Sequence, residues 1–192
     1  METPLGLMIG IGLSAACGFR VFVPLLGLSI ASMSGQVTVS GGFEWIGSWP
    51  ALVAFTTATI VEIAAYYIPW VDNLMDAITT PAAIIAGTMM TAAMVHDMSP
   101  FLKWSLALIA GGGTAGIIQG GTVLLRGASL TTTGGLGNLV VAKIELMGAL
   151  VITVLTIFIP VIALIVIACA GYKLFSYALR RKVTGKNPSA PL

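Results

Sequence analysis

Residues 138–180 read NLVVAKIELMGALVITVLTIFIPVIALIVIACAGYKLFSYALR, a largely apolar segment with one proline, Pro160. As one helix it would be about 64 Å long at about 1.5 Å per residue, whereas the hydrocarbon core of a bilayer is about 30 Å thick. A proline removes a backbone hydrogen-bond donor and can end a helix. We therefore expect two helices that meet in a tight hairpin or re-entrant break at Pro160.

The rest of the chain has the same apolar character. Of its 192 residues, 57% are apolar and only 8% are charged, and the mean hydropathy is +1.02. A soluble domain carries about a quarter charged residues, so this composition excludes a disordered chain, a nucleic-acid binder and an ordinary cytosolic enzyme. It predicts an integral membrane protein whose first partner is the lipid bilayer.

The apolar residues fall into six stretches, which are 4–33, 50–68, 70–95, 101–127, 138–159 and 161–180. We predict an all-α membrane protein with about six transmembrane helices, in which 4–33 is a retained first span. Basic residues then gather on one side of a bacterial inner membrane, which places both termini in the cytoplasm and makes 183–192 a flexible tail. The inner-side residues are Arg126, Lys143, Lys173, Arg180, Arg181, Lys182 and Lys186.

The two halves of the chain, 1–98 and 99–182, resemble each other. At an offset of 100, Gly12 and Ala15 match Gly112 and Ala115, and at an offset of 91, Ile68-Pro69 matches Ile159-Pro160. Three spans per half would make the second half enter the membrane from the opposite side. This pattern predicts two inverted three-helix repeats, a construction that many secondary transporters share.

Glycine and proline mark places where helices approach closely or break. Four-residue glycine spacing, as in Gly6/Gly10 and Gly116/Gly120, favours close helix packing. The stretch from Gly18 to Pro24 and the triple glycine at 111–113 weaken helix continuity at membrane depth, where unwound backbone lines a cavity or lies inside protein. We predict broken or re-entrant helices at these positions and at two further prolines. The predicted break residues are Gly18, Pro24, Gly111, Gly112, Gly113, Pro69 and Pro160.

Charged residues inside apolar stretches are the candidate site residues. A charge at mid-membrane costs at least about 2.5–3.5 kcal/mol, so Arg20 requires a carboxylate, a carbonyl cluster or an anionic ligand unless it reaches the interface. Glu62, with Tyr66 one helical turn later, and Glu145 are candidates for a proton or cation site. The alternative is that these carboxylates form structural ion pairs with Arg20 or Lys143.

Asp72 and Asp76 lie one turn apart and could bind a cation, although acidic residues in a first helical turn are also favoured by the helix dipole. Met90, Met94 and Met98 recur beside His96, a set that suits Cu(I) but that also fills ordinary apolar helices. We expect no metal, no cofactor and no catalytic residues, because no nucleophile, zinc or phosphate-binding motif occurs.

Several segments resemble the uncharacterised family of small bacterial membrane proteins catalogued as domain of unknown function 4126. They are GLSAACGFRVFVPLL at 12–26, SWPAL at 48–52, Glu62, and IPWVD at 68–72. Asn138 and Glu145 stand where the family pattern has an asparagine and an acidic residue, whereas its NTSPEP-like loop is replaced here by SLTTT at 129–133. The resemblance implies an integral membrane protein and names no activity.

The functional expectation follows from the repeat and the buried charges. We expect a small transporter or channel for an ion or small polar solute, with a charged midplane site at the interface of the repeats. So short a chain has few helices to line a path, which favours a homodimer. The alternative is a non-transporting scaffold that binds a lipid or a partner protein, with its basic tail on anionic lipid.

Overall fold

The computed structural model describes residues 2–66, 69–134 and 137–184, and the described residues are helical with short connections. A 3₁₀ turn at Glu44–Gly47 precedes α3, and a π-helical segment joins α5 to α6. The helices are α1 Glu2–Cys17, α2 Phe22–Met33, α3 Trp49–Ala65, α4 Pro69–Met94, α5 Pro100–Leu106, the π segment Ala107–Gly112, α6 Gly113–Thr133, α7 Asn138–Phe158 and α8 Pro160–Thr184.

Helix starts follow ordinary capping chemistry. The Ser48 hydroxyl accepts the Ala51 amide at 3.4 Å at the start of α3, and the Ser99 hydroxyl accepts the Leu102 amide at 3.5 Å at the start of α5. In each helix a proline occupies one of the first two positions, where the missing N–H has no intrahelical partner to lose. These caps fix where the chain enters each helix.

Residues 2–33 form a helical hairpin, not the single span that the sequence predicted for 4–33. Leu5 and Gly6, near the start of α1, line the same groove as Gln36 and Val37, just after α2, so the two helices run antiparallel. The turn between them is 18–21, which confirms the predicted break at Gly18. Pro24 causes no break, because it lies in the first turn of α2, where a proline is tolerated.

Close backbone packing explains the short α1–α2 turn. A Cβ atom added at Gly18 would lie 2.6 Å from Cβ of Ile118 and 2.7 Å from the Ala115 carbonyl oxygen. Along α1, a Cβ atom at Gly10 would lie 2.8 Å from Cα of Thr91, and one at Gly6 would meet the Met94 carbonyl. The predicted close approach at Gly6 and Gly10 is confirmed, with α4 as the partner helix.

The triple glycine does not break its helix, so the predicted break at Gly111, Gly112 and Gly113 is wrong. The helix continues from α5 into α6 through the π-helical segment, whose wider turn keeps the backbone hydrogen-bonded. Gly111 packs on Gly87 of α4, and a Cβ atom at Gly112 would lie 2.6 Å from the Thr88 hydroxyl. The glycines therefore allow close packing without unwinding.

Of the two close helix approaches predicted at Gly116 and Gly120, only the one at Gly116 is present. A Cβ atom at Gly116 would lie 3.2 Å from the Ile84 side chain, whereas nothing lies within 4 Å of one at Gly120. Gly120 therefore makes no close helix approach in the described part of the chain.

The other two prolines each begin a helix, as predicted. Pro69 is the first residue of α4 and Pro160 the first of α8. Between α7 and α8, Ile159 leaves the helical region with φ −141° and ψ 68°. The long apolar stretch 138–180 is thus divided at Pro160.

Helices of membrane-spanning length and hydropathy lie at Ala77–Met94, Pro100–Thr133 and Asn138–Phe158. Shorter apolar helices are Pro4–Cys17, Phe22–Met33, Trp49–Ala65 and Pro160–Lys173. At 12 to 17 residues, the first three measure about 18–26 Å, less than the hydrocarbon core of about 30 Å. The part of the chain that the structure describes is therefore all-helical and of membrane type, and three of its helices are able to cross a bilayer by length and composition.

Helix α1 is the centre of the packing. It contacts α4 of the first half and α6, α7 and α8 of the second half. Leu13, Ala15, Ala16 and Cys17 near its end have no exposed surface. The residues that follow α1 therefore lie in the protein interior, between the two halves of the chain.

Candidate functional site

Four of the six predicted site residues come together where α2, α3 and α7 meet. Arg20, Glu62, Tyr66 and Glu145 are 3%, 1%, 7% and 2% exposed. Arg126 of α6, predicted among the inner-side basic residues, joins them at 4% exposed. These five residues form the charged cluster.

Glu62 binds the N-terminus of α2. Its Oε1 accepts the Val21 amide at 2.8 Å and its Oε2 accepts the Phe22 amide at 3.1 Å. The first amides of a helix lack intrahelical acceptors and carry the positive end of the helix dipole, so a carboxylate is favoured there. Glu62 thereby ties α3 to the turn of the α1–α2 hairpin.

Arg20 lies in that turn and reaches α7. Its Nη2 donates to the Ala142 carbonyl at 3.0 Å and lies 3.8 Å from Oε2 of Glu145. Its guanidinium carbon lies 3.7 Å from the centre of the Tyr66 ring, a cation–π contact. Arg20 Nε and Nη1 are buried and have no hydrogen-bond partner among the described residues.

Arg126 and Glu145 form a two-point ion pair across the α6–α7 hairpin. Arg126 Nε donates to Oε1 of Glu145 at 3.0 Å, and its Nη2 pairs with Oε2. The Arg126 guanidinium also lies 4.1 Å from the centre of the Tyr66 ring. Each residue is about two turns, about 10 Å, from the loop end of its helix.

The Tyr66 ring therefore contacts both arginine side chains, and its hydroxyl extends the polar network to α4. It bonds to Thr79, whose hydroxyl accepts from Gln119 Nε2 of α6 at 3.2 Å. Thr79 and Gln119 are 4% and 3% exposed. The network thus joins the first half of the chain to the second through polar contacts that are buried from solvent.

A small crevice of about 10 Å³ opens beside the cluster. Arg20, Tyr66 and Lys143 line it together with apolar side chains of α3 and α7, and Lys143 itself is exposed. A volume near 10 Å³ is about that of one water-sized guest. The arrangement can accept a single small polar atom or ion next to Arg20.

Two predicted residues are not tested by this geometry. Asp72 and Asp76 belong to the first two turns of α4, and their side chains lie outside the described residues. Arg126 was missed as a site residue because it was counted as a flanking charge. A usable signal was present, since Arg126 and Glu145 are of opposite charge and nearly equidistant from the connection between α6 and α7.

No curated protein and no solved structure matches the chain. A protein-family model does match, over residues 7–178, and this range includes every member of the charged cluster. The match confirms the resemblance drawn from the motifs around Arg20 and Glu62. The chain belongs to the family described as domain of unknown function 4126 (DUF4126).

Proposed function

We propose that the chain is a small transporter or channel for an ion or small polar solute, and that the charged cluster is its site. The observation that carries this proposal is the burial of two arginines and two carboxylates between the two halves of the chain. Ionisable groups inside membrane helices are costly, and they commonly mark substrate or ion pathways. A re-entrant hairpin whose turn carries Arg20 fits the discontinuous helices of transporter sites.

The proposal includes two inverted repeats and six membrane segments. The 91-residue offset places Trp49–Ala65 at 140–156, which lies within α7, and places the first residue of α4 on the first residue of α8. The helix boundaries thus support the repeat that the sequence suggested. In this arrangement the charged cluster lies at the repeat interface of an inner-membrane protein. Because the hairpin of residues 2–33 returns the chain to the side from which it starts, the expectation that both termini are cytoplasmic is not retained.

The proposal also includes a homodimer. Helix α8 exposes Val161, Ile162, Ile165 and Val166, and its side chains at 168–173 are exposed as well. A second copy would give the site additional lining helices. Crosslinking in native membranes should trap a dimer, and a monomer alone would contradict this part of the proposal.

The test is electrophysiology on a solid-supported membrane carrying proteoliposomes. Jumps in pH and in a panel of ions and small metabolites should produce a current in the wild-type protein. Glu62→Gln and Glu145→Gln should abolish this current in folded protein, whereas Glu44→Gln, at an exposed position outside the cluster, should keep it. Equal currents in all four proteins would contradict the proposal.

One observation favours a scaffold as the second candidate function. Both oxygens of Glu62 and both oxygens of Glu145 are engaged in hydrogen bonds within the protein. Carboxylates engaged in this way hold helices together without any ligand. In a scaffold, Glu62→Gln would lower the unfolding temperature and no tested gradient would give a current.

A further inference from the structure

Arg20 carries hydrogen-bond donors that nothing in the described part of the chain accepts. The side chain is 3% exposed, and Nε and Nη1 are both buried without a partner. An arginine keeps its charge in proteins, so it cannot avoid the cost by losing a proton. Leaving buried donors of a charged group unpaired destabilises the folded state, and a bound acceptor would remove that cost.

The crevice beside Arg20 offers a place for that acceptor. It has a volume of about 10 Å³, and Tyr66, Leu139 and Leu146 form part of its wall. The exposed Lys143 also lines it, which adds a second cationic group at the same space. The walls are otherwise apolar, so a guest would bind through the two cationic side chains.

Two cationic side chains, Arg20 and Lys143, line this crevice. Arg20 has buried donors without an acceptor, whereas the oxygens of Glu62 and Glu145 are already engaged by backbone amides and by Arg126. A small anion would accept hydrogen bonds from Arg20 and would be attracted by both positive charges.

We infer that the crevice binds a small monovalent anion of halide size. The volume admits one small guest next to Arg20, and a halide ion is a guest of that kind. This inference names the substrate class of the proposed site and rests on the proposed function to that extent. The binding itself is measurable without any flux.

The first experiment measures thermal unfolding of the full chain in lipid nanodiscs. Potassium chloride or bromide replaces potassium gluconate at constant ionic strength. A ligand that binds only the folded state raises the unfolding temperature in a saturable way, so we expect a saturable rise with chloride and with bromide. The unfolding temperature should not change when sodium replaces potassium at constant chloride. The absence of any saturable halide effect in folded wild-type protein would overturn the inference.

The variants locate the binding. Arg20→Lys keeps the charge but removes the guanidinium donors, and it should raise the apparent Kd for chloride about tenfold or more. Lys143→Gln changes an exposed residue and leaves the core intact, so it should fold and should also weaken chloride binding. Lys173→Gln is the matched control, since it removes an exposed lysine of α8 and should keep the wild-type Kd. A chloride effect of equal strength in Lys143→Gln and Lys173→Gln would overturn the inference.

The same samples separate this inference from the proposed function. Saturable chloride binding that Lys143→Gln weakens, with no current in proteoliposomes, would support the anion site and contradict transport. A current that Glu62→Gln abolishes but that only cations carry, with no halide effect on unfolding, would support transport and contradict the anion site.

Discussion

The ion pair between Arg126 and Glu145 gives the most quantitative prediction. Glu145→Gln keeps the size of the side chain and removes its charge, which leaves two buried arginines without this carboxylate. Breaking a buried pair by changing one partner costs about 3–5 kcal/mol of unfolding free energy. The Arg20 contact alone, at 3.8 Å, corresponds to about 4 kcal/mol of Coulomb attraction at an effective dielectric constant of about 20, so this range is consistent with the geometry.

The assay is unfolding by sodium dodecyl sulfate in mixed micelles, followed by the fluorescence of the four tryptophans. Glu44→Gln is the control, because Glu44 is exposed, and it should change the unfolding free energy by less than about 1 kcal/mol. Arg126→Gln and the double variant Arg126→Gln/Glu145→Gln complete a thermodynamic cycle. The double variant should lose less than the sum of the single losses, with a coupling of about 1–3 kcal/mol. A Glu145→Gln loss equal to that of Glu44→Gln, or additive losses in the cycle, would show that the Arg126–Glu145 pair does not stabilise the fold.

Three further predictions use the same unfolding assay. Gly87→Ala should destabilise the protein by about 1–3 kcal/mol, because its Cβ atom would lie 2.6 Å from that of Ala115. Gly113→Ala has open space around its Cβ atom and should be neutral or stabilising by up to about 1 kcal/mol. Equal effects of the two substitutions would contradict the close packing of α4. Ser14→Ala should cost about 1 kcal/mol, because the hydroxyl lies 2.6 Å from the Gly87 carbonyl, and an unchanged stability would contradict that bond. Tyr66→Leu should cost about 2 kcal/mol more than Tyr66→Phe, which keeps the ring under both guanidinium groups, and equal losses would show that the ring contacts contribute nothing.

The sequence identified most of the cluster because a charge in an apolar stretch is conspicuous. Arg20, Glu62 and Glu145 were singled out by their cost in a membrane, and Tyr66 by its position one turn after Glu62. Their partners could not be predicted, because contacts depend on how helices distant in sequence pack. Nothing local indicates that Glu62 binds the amides of α2, about 40 residues earlier, rather than a basic side chain.

The helix breaks were also predicted only in part. Gly18, Pro69 and Pro160 mark real ends of helices, while the triple glycine at 111–113 does not. Glycine lowers helix propensity, but a π-helical turn keeps the backbone bonded and the neighbouring α4 stabilises it by close packing. Propensity indicates where a helix is weak, and tertiary packing decides whether it breaks.

The long sequence separation between Arg20 and its acceptors has a consequence for how the protein is made. Arg20 leaves the ribosome 122 residues before Ala142, whose carbonyl it binds, and Glu145 follows three residues later. Glu62 emerges much sooner, so the hairpin and α3 can associate early through the α2 amides. The burial of the arginine, however, must wait until α7 has been synthesised. The first half is therefore made before Arg20 has its acceptors, and the synthesis of α7 supplies them.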